Sequence, residues 1–117
     1  NYLEHLLLHI KIAEEPKAEL SNANEVQGIG GTILITNAIN DVYMGVPFLH
    51  EWRNRVAEAI NNDYDSYVMY AAYLWRVIQR KPVYKRYFNI QNIAFSPTKK
   101  EVFQKLIKDI EMFNSRI

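Results

Sequence analysis

His5 and His9 stand four residues apart in Tyr2-Leu3-Glu4-His5-Leu6-Leu7-Leu8-His9-Ile10. On a helix, residues at this spacing project from one face, one turn apart. Two imidazoles so placed can offer ring nitrogens to one divalent metal, and a complete site needs at least one further ligand. The remaining histidine is His50, beside Glu51 and Trp52. A zinc protease would need His-Glu-x-x-His, with Glu directly after the first His. Here Leu6, Leu7 and Leu8 separate the pair and Glu4 precedes it, which argues against that chemistry. The plain alternative is a helix whose histidines border an apolar face.

A second constellation is Arg76-x-x-x-Arg80-Lys81-Pro82-Val83-Tyr84-Lys85-Arg86-Tyr87-Phe88, with five cations, no acid and interleaved aromatics. Cations of this kind neutralise phosphates and release counterions, and aromatic rings stack on exposed bases. Without a partner, Arg80 and Lys81 would favour the dipole at a helix C-terminus, with Tyr84, Tyr87 and Phe88 as core. A third is the series Tyr64, Tyr67, Tyr70 and Tyr73. Three-residue steps drift by roughly 60° each around a helix, so the rings sweep a wide sector. Tyrosine suits interfaces because it joins apolar area to a polar tip, so a homo-oligomer through this surface is one reading and core packing the other.

The segment Glu4-His5-Leu6-Leu7-Leu8-His9-Ile10-Lys11-Ile12-Ala13 resembles the end of the motif in HNH (His-Me finger) endonucleases. There a helix reads Glu-His, three apolar or small residues, then His. The resemblance implies that His5 and His9 are metal ligands, with Glu4 matching the acid often found before the first. Gly28-Ile29-Gly30-Gly31 and Ile39-Asn40-Asp41-Val42-Tyr43 resemble regions downstream of that helix more loosely. The family's general-base His, its partner ligand and its Asn belong to a β-hairpin N-terminal to the metal helix, and residues 1–117 contain no match to it. The resemblance therefore implies the metal-helix and C-terminal helical part of a larger nuclease, which by itself would not cut DNA because the group that activates water is missing. The implied cofactor is a divalent ion (Mg²⁺, Mn²⁺ or Zn²⁺) and the implied partner is DNA, its backbone held by Arg76, Arg80, Lys81, Lys85 and Arg86. A non-catalytic helical interaction module and a small helical nucleic-acid binder without metal are the competing functions.

The elements that would position these groups read as an all-α, single-domain bundle of four to five helices. Helix one is predicted over 2–14, with Leu3, Leu6, Leu7, Ile10 and Ala13 on its apolar face. Residues 15–31 are polar and Gly-rich and read as a loop, with a possible helical turn at 17–21. Helix two is predicted over 31–44, with Ile33, Leu34, Ala38 and Val42 apolar and a strand at 32–36 as the alternative, given its β-branched content. Helix three is predicted over 47–61, with Pro47 in its first turn and Phe48, Trp52, Val56 and Ile60 at four-residue spacing. Helix four is predicted over 64–80, with Asp63 as N-cap and Pro82 beyond its end. Residues 82–95 read as irregular. Helix five is predicted to start at Ser96-Pro97, an N-cap followed by a first-turn proline, with Thr98 and Glu101 as a competing capping box.

Weaker motifs have local explanations. Gly28-Ile29-Gly30-Gly31-Thr32 lacks the Lys-Ser/Thr of a nucleotide-binding loop and reads as a turn into helix two. Asp63 and Asp65 read as capping residues rather than paired acids. No Ser nucleophile triad is supported.

Composition sets outer bounds. At 117 residues the chain is long enough for one domain with a real core. There is no Cys, which excludes a disulfide framework and a thiolate zinc site and fits a reducing, cytoplasmic setting. No apolar run approaches the ~18 residues of a membrane span, so no membrane partner is expected. The net charge of +1 is unevenly placed: residues 1–75 carry four basic residues against ten acids, and residues 76–117 carry ten against three. The basic C-terminal half is a candidate surface for an anionic partner.

Overall fold

Helix α1 (Tyr2–Glu14) spans the range its periodicity predicts. In the computed structural model, which describes residues 1–15, 22–47 and 51–117 (side chains of 22–27, 51–54 and 56 excepted), it packs on α2 (Asn22–Tyr43) and α4 (Tyr64–Arg80). Its start is a reciprocal capping box. The Asn1 side chain accepts the Glu4 N–H at 3.0 Å, and the Glu4 carboxylate accepts from the Asn1 nitrogen at 3.2 Å. Leu3, Leu6, Ile10 and Ala13 are buried along one stripe, and the His5 side stays outside. The remaining described elements are α3 (Glu51–Ile60), α5 (Pro82–Tyr87), α6 (Ile90–Ile93), β1 (Phe95–Ser96), β2 (Glu101–Val102) and α7 (Gln104–Ser115). The fold is all-α as expected, with seven helices among the described residues and one two-residue hairpin. No described helix is long and apolar enough to cross a membrane.

Helix α2 corrects the reading of residues 15–31 as loop, because its helix begins at Asn22 and runs through all three glycines of the Gly28–Gly31 segment. It also overturns the alternative strand at 32–36. Each glycine costs about 1 kcal/mol against alanine in a helix interior. The helix forms because Ile29, Thr32, Ile33, Thr36, Asn37 and Asn40 recur at helical spacing and are all buried. The β-branched threonines are accommodated by back-bonding: Thr32 Oγ1 donates to the Gly28 carbonyl and Thr36 Oγ1 to that of Ile33. Leu34 and Ala38, expected on the apolar face, point to solvent instead, and Leu34 is 70% exposed. The helix ends in a Schellman motif. Val46 N–H donates to the Asp41 carbonyl, Gly45 N–H to that of Val42, and Gly45 takes a φ of +76° that favours glycine.

Helix α4 matches its predicted range, and Asp63 holds the N-cap position without a side-chain cap bond. Described helix α3 starts at Glu51, and Pro47 lies in coil before it. Ile60 is buried, while Phe48, His50 and the side chains of Trp52 and Val56 lie outside the described residues, as does the turn at 17–21. The stretch 82–95 is more regular than its composition suggests. Pro82 opens α5, where its fixed φ suits the first helical turn. Asn89 and Asn92 cap α6 reciprocally.

The start of the last helix also moves: it begins at Gln104 rather than Ser96-Pro97. Ser96 and Thr98, read as helix caps, instead donate their hydroxyls to the two carboxylate oxygens of buried Asp41, each at 2.6 Å. That tertiary partner outcompetes local capping. Residues 95–102 close into a hairpin, Phe95 opposite Val102 and Ser96 opposite Glu101, turning through Lys100 at a φ of +51°. Leu106 and Ile110 then bury one face of α7 against α4, while Lys105, Lys108 and Glu111 face solvent.

Candidate functional site

The α1 geometry places His5 and His9 together. Their ring centroids lie 4.5 Å apart, edge to face, with His5 exposed and His9 half-buried. Two imidazole nitrogens fit a borderline divalent ion as a two-point clamp. Among the described residues, no group of three or more His, Cys, Asp or Glu side chains converges to complete it. Glu4 is turned to its capping partner Asn1.

The five cations of the basic span separate into two sets. Arg76, Arg80 and Lys81 all make contacts within the molecule, although Arg80 is itself exposed. Arg76 donates to Asn114 Oδ1 and sits over the Tyr73 ring. Arg80 pairs with Glu14 at 3.1 Å. Lys81 Nζ donates to the carbonyls of Ala13 (2.8 Å) and Glu15 (3.1 Å), where Tyr84 Oη also donates to Ala13. The last carbonyls of a helix lack intrahelical donors, so Lys81 and Tyr84 satisfy the end of α1 from a distance. Tyr73 Oη donates to Glu14 and is itself approached by Lys11 Nζ. The Tyr73 hydrogen bond holds the Glu14 carboxyl below its ordinary pKa, against opposing desolvation and with help from Arg80. Lys85 and Arg86 form the second set, exposed on α5 beside Tyr87, which is 57% exposed.

Lys81→Met keeps the aliphatic stem and removes both hydrogen bonds to α1. It is expected to lower stability by about 1 kcal/mol, read as a shifted urea midpoint. A variant with unchanged stability would remove Lys81 from this structural role.

The tyrosine series is largely absorbed within the chain. Tyr67 is fully buried, and Tyr64, Tyr70 and Tyr73 are half-buried. Tyr43 stacks on Tyr67 with ring centroids 5.3 Å apart and meets Tyr64 edge-on at 5.2 Å. Burial, reinforced by the Asp63 charge, pushes the Tyr43 hydroxyl up to about 12. Tyr64 is raised further, by burial first and then by its hydrogen bond to Asp109. Burial opposes ionisation of Asp109, yet hydrogen bonds from Lys105 and Tyr64 outweigh it and hold that carboxyl below its ordinary value.

Sequence reading missed a buried amide and carboxylate network built from Asn37, Asn40 and Asp41 on α2. Asn40 Nδ2 donates to the carbonyls of Ile93 (2.7 Å) and Phe95 (3.0 Å), and Asn40 Oδ1 accepts from Tyr67 Oη. Asn37 Nδ2 donates to the Asn92 carbonyl at 2.8 Å. With Asp41 on Ser96 and Thr98, these side chains hold the backbone of residues 92–98 against α2. The available signal was three polar residues at i, i+3 and i+4 on an otherwise apolar helix face, a pattern that needs buried partners. No family model, curated protein or solved structure matches this chain.

Proposed function

We propose that this chain is the metal-helix and C-terminal helical part of an HNH-like DNA endonuclease. The single observation that supports this reading most is the His5–His9 pair, side by side on a helix secured at both ends, by the Asn1–Glu4 box and by Lys81 with Tyr84. The two imidazoles would hold one divalent ion, with water or groups beyond the described residues filling the other positions. The bound ion would supply charge stabilisation at the phosphodiester. Lys85 and Arg86 are exposed and have no side-chain partner among the described residues, which leaves them free for phosphate, while Arg76 and Lys81 hold α7 and α1 to α4 and the exposed Arg80 is engaged by Glu14.

The test is a calorimetric titration with Zn²⁺ and Mn²⁺ on wild type and on His5→Ala. Saturable binding at one equivalent is expected in wild type and lost in the variant. Both histidines lie outside the core, so His5→Ala should keep its helical circular dichroism. Equal heats from both proteins would sink the metal-helix reading.

A second reading, a helical nucleic-acid binder without metal, is favoured by the exposure of Lys85, Arg86 and Tyr87 together on α5. It requires DNA affinity that is indifferent to chelator and to His5→Ala but reduced in a Lys85→Ala, Arg86→Ala double variant.

A further inference from the structure

A cleft of about 260 Å³ lies between α2 and the segment after α5, away from the histidine pair. It is lined by the amides of Asn89, Gln91 and Asn92 and by the apolar side chains of Ile33, Phe95 and Val102. We propose that this cleft takes one unstacked nucleobase of a single-stranded nucleic acid, held by its carbonyl oxygens. The proposal rests on the nucleic-acid-binding part of the function proposed above and does not depend on the metal.

The first argument is orientation. Asn89 Oδ1 accepts the Asn92 N–H at 3.2 Å, and Asn92 Oδ1 accepts the Asn89 N–H at 2.8 Å. A backbone N–H requires an acceptor, so each carboxamide is locked with its oxygen toward the backbone. Its NH₂ group is thereby directed away from the cap, and neither NH₂ has a partner among the described residues. Both side chains line the cleft and both are exposed, so these NH₂ groups are open to a ligand there. Asn37, buried beneath, fixes this rim by donating to the Asn92 carbonyl, so binding needs little reorganisation.

The second argument is charge. No side chain lining the cleft is ionised. A phosphate or carboxylate there would lack a counter-charge, whereas a base presents neutral carbonyl acceptors to fixed donors. Ile33, Phe95 and Val102 offer apolar and aromatic surface to a ring face. The volume suits a single ring system rather than a larger ligand.

The third is continuity. Arg86 precedes Asn89 by three residues, so their Cα atoms lie within about 11 Å. Exposed Lys85 and Arg86 can therefore meet the phosphates that flank a base seated in the cleft.

The experiment is fluorescence anisotropy with a labelled oligothymidylate of about ten nucleotides and an abasic deoxyribose-phosphate oligomer of equal length. Wild type is expected to bind the oligothymidylate about fivefold more tightly, the scale of one or two net hydrogen bonds. Asn89→Ser retains a capping oxygen and loses the NH₂. It should reduce that preference to about twofold and leave affinity for the abasic oligomer unchanged. Equal wild-type affinities for the two oligomers, weakened alike in the Lys85→Ala, Arg86→Ala variant, would overturn the base cleft and leave nucleic-acid binding standing. A full preference retained in Asn89→Ser would overturn the amide assignment. Failure of wild type to bind either oligomer would overturn both the cleft and the nucleic-acid reading on which it rests.

Discussion

Asn40→Ala is expected to cost about 3 kcal/mol of folding stability, a large share of what a domain of this size holds. The side chain is fully buried and supplies three hydrogen bonds to three different parts of the chain. Truncation strips the Phe95 carbonyl of its amide donor and leaves the Ile93 carbonyl only the longer bond from Asn37 Nδ2 at 3.4 Å, in a site sealed from water. Each such orphaned group costs about 1–3 kcal/mol. Tyr67 retains the Thr36 carbonyl at 3.1 Å, so its hydroxyl is only partly stranded. Tyr67→Phe should therefore cost less, about 1 kcal/mol. The double variant should fall short of the sum because the two share a bond. Urea unfolding measures all three, and a shift in midpoint at constant slope isolates stability. An Asn40→Ala loss below about 1 kcal/mol would show that the network is not what holds residues 92–98 to α2.

Alkaline pH should unfold the protein through its tyrosines. Tyr43, Tyr64 and Tyr67 all have folded-state pKa values above the ordinary 10, with burial the leading cause in each. A group raised in the folded state contributes its full stability below the unfolded value and loses it as pH climbs through the folded one. Above pH 10 the unfolded chain releases these protons while the folded chain keeps them, so stability falls. One such proton costs about 1.4 kcal/mol per pH unit. Tyr67, fully buried, contributes at that rate. Tyr43 and Tyr64 are half-buried, and solvent screening reduces their shares. A total loss of about 3 kcal/mol between pH 10 and 12 is expected, measured as urea midpoints at successive pH values. Tyr67→Phe should flatten the decline. An identical slope in that variant would remove Tyr67 from the cause. Phenolate absorbance should show these tyrosines titrating only as the fold is lost.

The candidate site was legible in the sequence to the extent that its geometry is local. An i, i+4 pair on a helix has one arrangement whatever the rest of the chain does, and His5 and His9 adopt it. The basic span was legible only as composition. Whether a cation meets solvent or a carbonyl depends on what packs against its helix. Lys81 illustrates this, since its partners Ala13 and Glu15 are more than sixty residues away in sequence. The same holds for the tyrosines, whose hydroxyls found Ile60, Asp109, Thr36 and Glu14 inside the chain.

By itself the sequence determined the helices whose signals are self-contained. α1 and α4 carry unbroken apolar periodicity and sit between polar or proline boundaries, so burial and local propensity agree on the same residues. Only tertiary structure decided the segments where those two disagree. Burial of one face of α2 carried its helix through three glycines that favour a loop. The buried Asp41 carboxylate drew Ser96 and Thr98 away from capping, which delayed α7 and left a hairpin in place of its first turns. In both places a buried long-range interaction outweighed a local preference worth about 1 kcal/mol, and no window of sequence contains both partners.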